Sequence, residues 1–180
     1  MPRPKTHDAA LRERLLGRAR SLLSEGGPDA LSLRTLAADC NTSTTAVYAL
    51  FGSKTALVAA LLDDALARMR KRLDQVEPGP DPVDHLLRLG TTVRDTALAD
   101  PHVHQALLDA EPAHEALAPL AESTRRAVEV GALKPGDDVT ADPGGVVQSL
   151  VHGLVALELR GLAAAGALGL ALRAALDGWR

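Results

Sequence analysis

Residues 33–57 read LRTLAADCNTSTTAVYALFGSKTAL, and this stretch decides the fold. Ser32 stands before it as a good helix N-cap, and Leu33, Leu36, Ala37 and Cys40 then fall on one face of a short helix. Asn41 interrupts that helix, because asparagine is among the few non-glycine residues that tolerate the left-handed backbone of a tight turn. A third short helix is predicted from about Ser43, burying Val47, Leu50 and Phe51 and turning Thr44, Thr45 and Tyr48 outward. Gly52-Ser53 breaks and re-caps the chain into a long helix over about Lys54–Gln75, with Leu57, Leu61, Leu62, Ala65, Leu66, Met69 and Leu73 as its apolar stripe.

Upstream, the spacing of Leu11, Leu15, Ala19 and Leu22 predicts a helix from about Asp8 to Glu25, ended by Gly26-Gly27-Pro28. Downstream, residues 77–82 (EPGPDP) form a linker, since three prolines and a glycine cannot sit inside a helix. Helices follow at about Val83–Ala99, Pro101–Asp109 and Ala113–Val130, the last kinked or divided by Pro119, and then a polar loop over residues 131–140. Asp142-Pro143 is an N-cap followed by a first-turn proline. Residues 146–179 are apolar on nearly every side; Gln148, His152, Glu158, Arg160, Arg173 and Asp177 recur too often for a membrane span. The alternative is two helices, breaking near Ala165-Gly166, that cover their own core on one side and a partner subunit on the other.

The expected architecture is therefore all-α, about nine helices, with a three-helix head over residues 1–53 (arm 1–7) and a helical bundle over residues 54–180. Alanine- and leucine-rich composition, a single Trp, Tyr and Phe, and the absence of any alternating strand pattern agree with this. The charge is divided: residues 1–72 carry 12 Lys/Arg against 7 Asp/Glu, and residues 73–180 carry 8 against 16. A basic head beside an acidic body suits a head that meets a polyanion. The lone Cys40 excludes an intramolecular disulfide, and no secretory leader pattern opens the sequence, which points to a soluble, cytoplasmic protein without a membrane partner.

Two short helices joined by a tight turn, the second exposing small polar groups, make a helix-turn-helix, whose second helix enters the DNA major groove. Residues 33–57 resemble the signature segment of the TetR/AcrR family of transcriptional regulators, through Ala37, Ser43, Tyr48, Phe51, Lys54 and Leu57 at the family's spacing. The segment Val151-His152-Gly153-Leu154 resembles the His-Gly stretch of members with a Trp-His-Gly-type C-terminal domain, although the tryptophan is absent. The resemblance implies a homodimer joined through the last two helices, two heads on half-sites of a pseudo-palindromic operator in double-stranded DNA, repression, and release by a small-molecule effector.

Candidate DNA-binding residues are Ser32, Arg34, Thr42, Ser43, Thr44, Thr45, Tyr48 and Lys54. Lys54 joins its charge to the free N–H groups of a helix N-terminus and so suits a phosphate. Tyr48 offers a hydroxyl to the backbone, and Thr44 and Thr45 offer a hydroxyl and a methyl to base edges. The family often has Gly where Thr45 stands and a basic or polar residue where Thr44 stands. The recognition helix therefore lacks Arg, Lys, Asn and Gln for bidentate readout, and selectivity leans on Arg34 and DNA shape. Arg3 and Lys5 in the arm are either minor-groove contacts or a solvated basic terminus.

Candidate pocket residues in the body are Leu86, Leu89, Val93, Leu107, Leu108, Leu120, Leu150 and His152, which suit an apolar or amphipathic effector. His152 is either hydrogen-bonded within the core or offered to that ligand. His102, His104 and His114 are not spaced to share one helical face, so no metal or other cofactor is expected. Cys40 reads as a small core filler. No nucleophile–base pair, phosphate loop or cofactor fingerprint is present, so the chain is not read as an enzyme. The alternatives are a regulator without a small-molecule effector, and a dimeric carrier or scaffold that has lost DNA binding.

Overall fold

The computed structural model describes residues 5–108, 113–136 and 142–180, without the side chains of residues 5–7, 28, 108, 113 and 114. Among these residues there are ten helical segments and no strand: α1 (Lys5–Ala30), α2 (Leu33–Asp39), α3 (Thr44–Phe51), α4 (Lys54–Asp74), α5 (Pro82–Ala99), α6 (Pro101–Leu108), α7 (Ala113–Ala116), α8 (Ala118–Glu129), α9 (Pro143–Leu159) and α10 (Ala167–Asp177). The four residues of α7 make a single turn, which leaves nine longer helices.

Two compact units emerge. The head comprises the chain up to Ala65 with His102–Ala106, and the body comprises Leu66–Pro101 and the chain from Leu107 onward. In the head, α1, α2 and α3 pack on one another around Leu15, Ala19, Leu36, Val47 and Phe51, joined by Leu57 and Leu61 from the start of α4. Leu15, Leu36 and Leu57 are fully buried; each such leucine contributes about 1.5–3 kcal/mol of transfer free energy. In the body, α8 lies against α9, and α5 contacts α8, α9 and α10. Their shared core holds Leu86, Leu89, Val93, Leu120, Val151 and Leu172.

Two glycines let body helices approach closely. A Cβ on Gly144 would stand 2.6 Å from the Ala121 carbonyl oxygen on α8, and one on Gly90 would stand 2.8 Å from Leu172 Cδ2 on α10. At Gly144 only hydrogen fits, because the neighbour is backbone, whereas at Gly90 a Cβ would push aside the tip of the Leu172 side chain. A two-fold ion pair ties α5 to α9: Arg94 Nε donates to Glu158 Oε2 at 2.7 Å and Arg94 Nη2 to Oε1 at 2.5 Å. At the end of the chain, Arg180 pairs with Asp81 at 2.9 Å.

Most local signals act as expected. Backbone at Gly26 and Gly27 is non-helical, Gly27 with φ 69°. Leu117 separates α7 from α8, with Pro119 in the first turn of α8. The Asp142 side chain accepts from the Gly145 N–H at 2.9 Å, with Pro143 at the start of α9.

Three expectations need correcting. The first helix begins at Lys5, not Asp8, so the arm is shorter than residues 1–7; Arg3 lies outside the described residues. Leu50 is half-buried, because it packs on the edge of the head core. The break between the last two helices spans residues 160–166 and opens at Gly161, whose φ of 69° ends α9 before the expected Ala165-Gly166. Gly166, φ 89°, then starts α10.

Candidate nucleic-acid interface

The interface is built from three successive helix starts, each capped by a serine. Ser32 Oγ accepts from the Thr35 N–H at 3.4 Å, Ser43 Oγ from the Ala46 N–H at 3.1 Å, and Ser53 Oγ from the Ala56 N–H at 3.0 Å. Each cap occupies an oxygen lone pair and leaves the hydroxyl hydrogen able to donate to a phosphate.

Between α2 and α3, Asn41 takes φ 51°, the left-handed value expected of the turn. The Asn41 N–H donates to the Ala38 carbonyl and the Thr42 N–H to the Ala37 carbonyl, so the turn closes on the end of α2. Val47 and Phe51 anchor α3 in the core. As a result Thr44, Thr45 and Tyr48 face solvent together, Tyr48 with 53% of its surface exposed. Ser32, Arg34, Ser43 and Lys54 are exposed too, while Thr42 is half-buried. The Tyr48 carbonyl accepts from the Gly52 N–H at 2.8 Å, and Gly52, φ 80°, turns the chain so that Ser53 caps α4. Lys54 is thereby set in the first turn of α4, where its ammonium adds to the helix's own positive end.

Charge on the head is sorted by ion pairing. Arg18 donates to Asp39 at 2.7 Å and also meets Glu25, and Arg20 reaches Asp64 at 2.5 Å. Arg34 and Lys54 have no acidic partner among the described residues and keep their charge for an anion. Arg12 lies with its guanidinium 5.3 Å from the centre of the Phe51 ring. Sequence reasoning missed this contact and the ion pairs, since no periodicity links α1 to residues so distant in the chain. Cys40 is buried, its thiol donating to the Arg14 carbonyl at 3.7 Å, and burial pushes its pKa up, as suits a filler.

In the body, Leu86, Leu89, Val93 and Leu120 are closed within the core, each no more than 1% exposed; Leu107 is buried, and Leu150 and His152 are half-buried on α9. The side chain of Leu108 lies outside the described residues, as does that of His114. His104 is buried and His102 exposed. No single helix among the described residues is long and apolar enough to cross a membrane. The bent pair α3 and α4 reaches that length only across a 62° angle, and it buries Val47, Phe51, Leu57 and Leu61 in the head.

Fold and exposed residues together define a helix-turn-helix head joined to an all-helical body. Residues 15–61 match the family model described as bacterial regulatory proteins, tetR family, which covers α1 from its middle through the start of α4. The head is thus similar to the DNA-binding domain of tetR-family regulatory proteins. Among solved structures, a protein of unknown function from Rhodococcus sp. RHA1 is similar over 93% of this chain and 92% of its own, at 25% identity and a TM-score of 0.75. TetR-Q116A from Acinetobacter baumannii AYE, in complex with minocycline, is 25% identical over 91% and 93% of the two chains, with a TM-score of 0.64. RolR in complex with resorcinol shares the fold, with 18% identity, coverage of 98% and 90%, and a TM-score of 0.70. No curated protein sequence matches the chain.

Proposed function

We propose that the protein is a homodimeric repressor whose heads read the half-sites of a pseudo-palindromic operator and which a small apolar or amphipathic ligand releases. The observation that carries the DNA half of this reading is the outward triplet Thr44, Thr45 and Tyr48 on a capped α3, followed at once by unpaired Lys54 at the head of α4. Tyr48, Lys54, Ser32, Ser43 and Thr42 grip the backbone; Arg34, Thr44 and Thr45 touch base edges, and DNA shape supplies the remaining selectivity. Residues 1–53 act as the reader and residues 54–180 as the dimerising and sensing part.

Dimerisation is supported by α9. Val147, Val151 and Val155 are buried, whereas Val146, Leu150, Leu154 and Leu157, one helical face on, are exposed or half-buried. Leu162 and Leu170 add 72% and 76% exposed leucines from the following segment and α10. An apolar face of this kind in water is stabilised by a second copy.

Ligand sensing is supported by the neighbours that hold resorcinol and minocycline; the candidate contacts are the apolar core residues Leu86, Leu89, Val93, Leu107, Leu120 and Leu150, with Leu108 and His152 carried from the sequence. Several of these are close-packed. A ligand entering among them must rearrange that packing, and it weakens DNA binding only by preferring the rearranged state. Gel-shift titration with the DNA upstream of the protein's own coding region tests the reading. A retarded band at submicromolar protein, lost on adding an aromatic effector, is expected. No band with any upstream fragment overturns the repressor; a band that no small molecule releases overturns the sensor.

A further inference from the structure

We propose that Arg12 of α1 is a phosphate-contacting residue of the DNA interface, held in place by the ring that ends the recognition helix. The inference rests on the DNA-binding reading of the head. Arg12 is exposed, and its guanidinium sits over Phe51, 5.3 Å from the ring centre. Phe51 is the last residue of α3, 9% exposed and fixed in the head core. The corner at Gly52-Ser53 follows immediately, and Lys54 opens α4. The corner thus carries one cation before it, over Phe51, and one after it.

The other arginines of α1 show that this placement is not a general surplus of charge. Arg18 and Arg20 are neutralised by Asp39 and Asp64. Arg14 has no ion pair among the described residues, but it lies two positions on, about 200° around the helix. It lines a separate cleft with Arg18, Asp39 and Cys40. Among the described residues, Arg12 alone combines a charge without an ion pair with an aromatic platform at the recognition helix. A guanidinium stacked on a ring keeps its rim N–H groups free for phosphate oxygens, and stacking restricts the side chain before DNA arrives. The entropy lost on binding is correspondingly smaller.

A duplex selected from a random pool by the wild-type protein, followed by fluorescence anisotropy across a salt series, tests the contact. Arg12→Gln is expected to bind roughly tenfold more weakly, with the log–log salt slope reduced by about one per subunit. Arg12→Lys keeps the slope, and Arg14→Gln leaves both quantities near wild type. A wild-type slope in Arg12→Gln overturns the proposal, and so does an equal fall in Arg12→Gln and Arg14→Gln, which would mark long-range charge alone. Failure of the wild type to select any duplex overturns the DNA-binding reading and this inference with it. Should Arg12→Gln melt below the assay temperature, the NMR signal of Arg12 Nε–H in the wild-type protein decides. It shifts on adding the duplex if the contact forms, and an unmoved signal overturns it.

Discussion

At the scale of single residues, the head is governed by where each polar group is already engaged. The three capping serines each use their oxygen to hold a helix start, so their part in DNA binding is limited to a donated hydroxyl hydrogen. Tyr48 and Lys54 are not engaged in this way, and they carry the expected grip on the backbone. The double variant Tyr48→Ala, Lys54→Ala should lose on the order of a hundredfold in operator affinity, at about 1–1.5 kcal/mol per lost contact. Its circular dichroism and melting temperature should match wild type, because neither side chain is in the core. Equal binding by that variant would remove both residues from the interface. The roles of Asn41, Ser32 and Ser53 were legible in the sequence because caps and left-handed turns depend on residues within three or four positions. Arg12 was not, because its partner Phe51 comes from another helix.

At the scale of elements, α4 and the α5–α9 contact show what periodicity reveals and what it leaves out. The stripe of α4 reads as one continuous apolar face, yet Leu57 and Leu61 complete the head core while Met69 and Leu73 complete that of the body. The ion pair of Arg94 with Glu158 joins helices far apart in the chain, and it holds the Glu158 carboxyl below the ordinary glutamate range, chiefly through the hydrogen bonds from Arg94. A carboxyl lowered in the folded state stabilises the protein above its unfolded pKa and loses that contribution as pH falls through the folded value. Glu158→Gln should therefore be about 1–2 kcal/mol less stable than wild type at neutral pH. In strongly acid solution the two should converge. Urea midpoints at the two pH values measure this, and a constant difference would show that the pair's charge contributes nothing.

At the scale of the whole molecule, the over-apolar C-terminus is the ground for the proposed dimer. On α9 the buried face is that of Val147, Val151 and Val155, and the remaining apolar residues stay in contact with solvent in a single chain. The double variant Leu157→Glu, Leu170→Glu should shift the protein from twice the chain mass to the chain mass in light scattering, while keeping its helical signal. Binding to a two-half-site operator should fall with it, since each head then binds alone. A variant that stays dimeric would place the interface elsewhere.

The sequence by itself determined the helical class, the helix-turn-helix and its turn, the caps, and the outward set on α3, because each depends on local backbone preference and on one helical period. Only the tertiary structure decided which arginines are neutralised, that Arg12 sits over Phe51, that α4 serves two cores, and that Gly90 and Gly144 mark helix crossings. These depend on residues that meet only after the helices pack, and neither spacing nor composition specifies which distant partner a side chain will find.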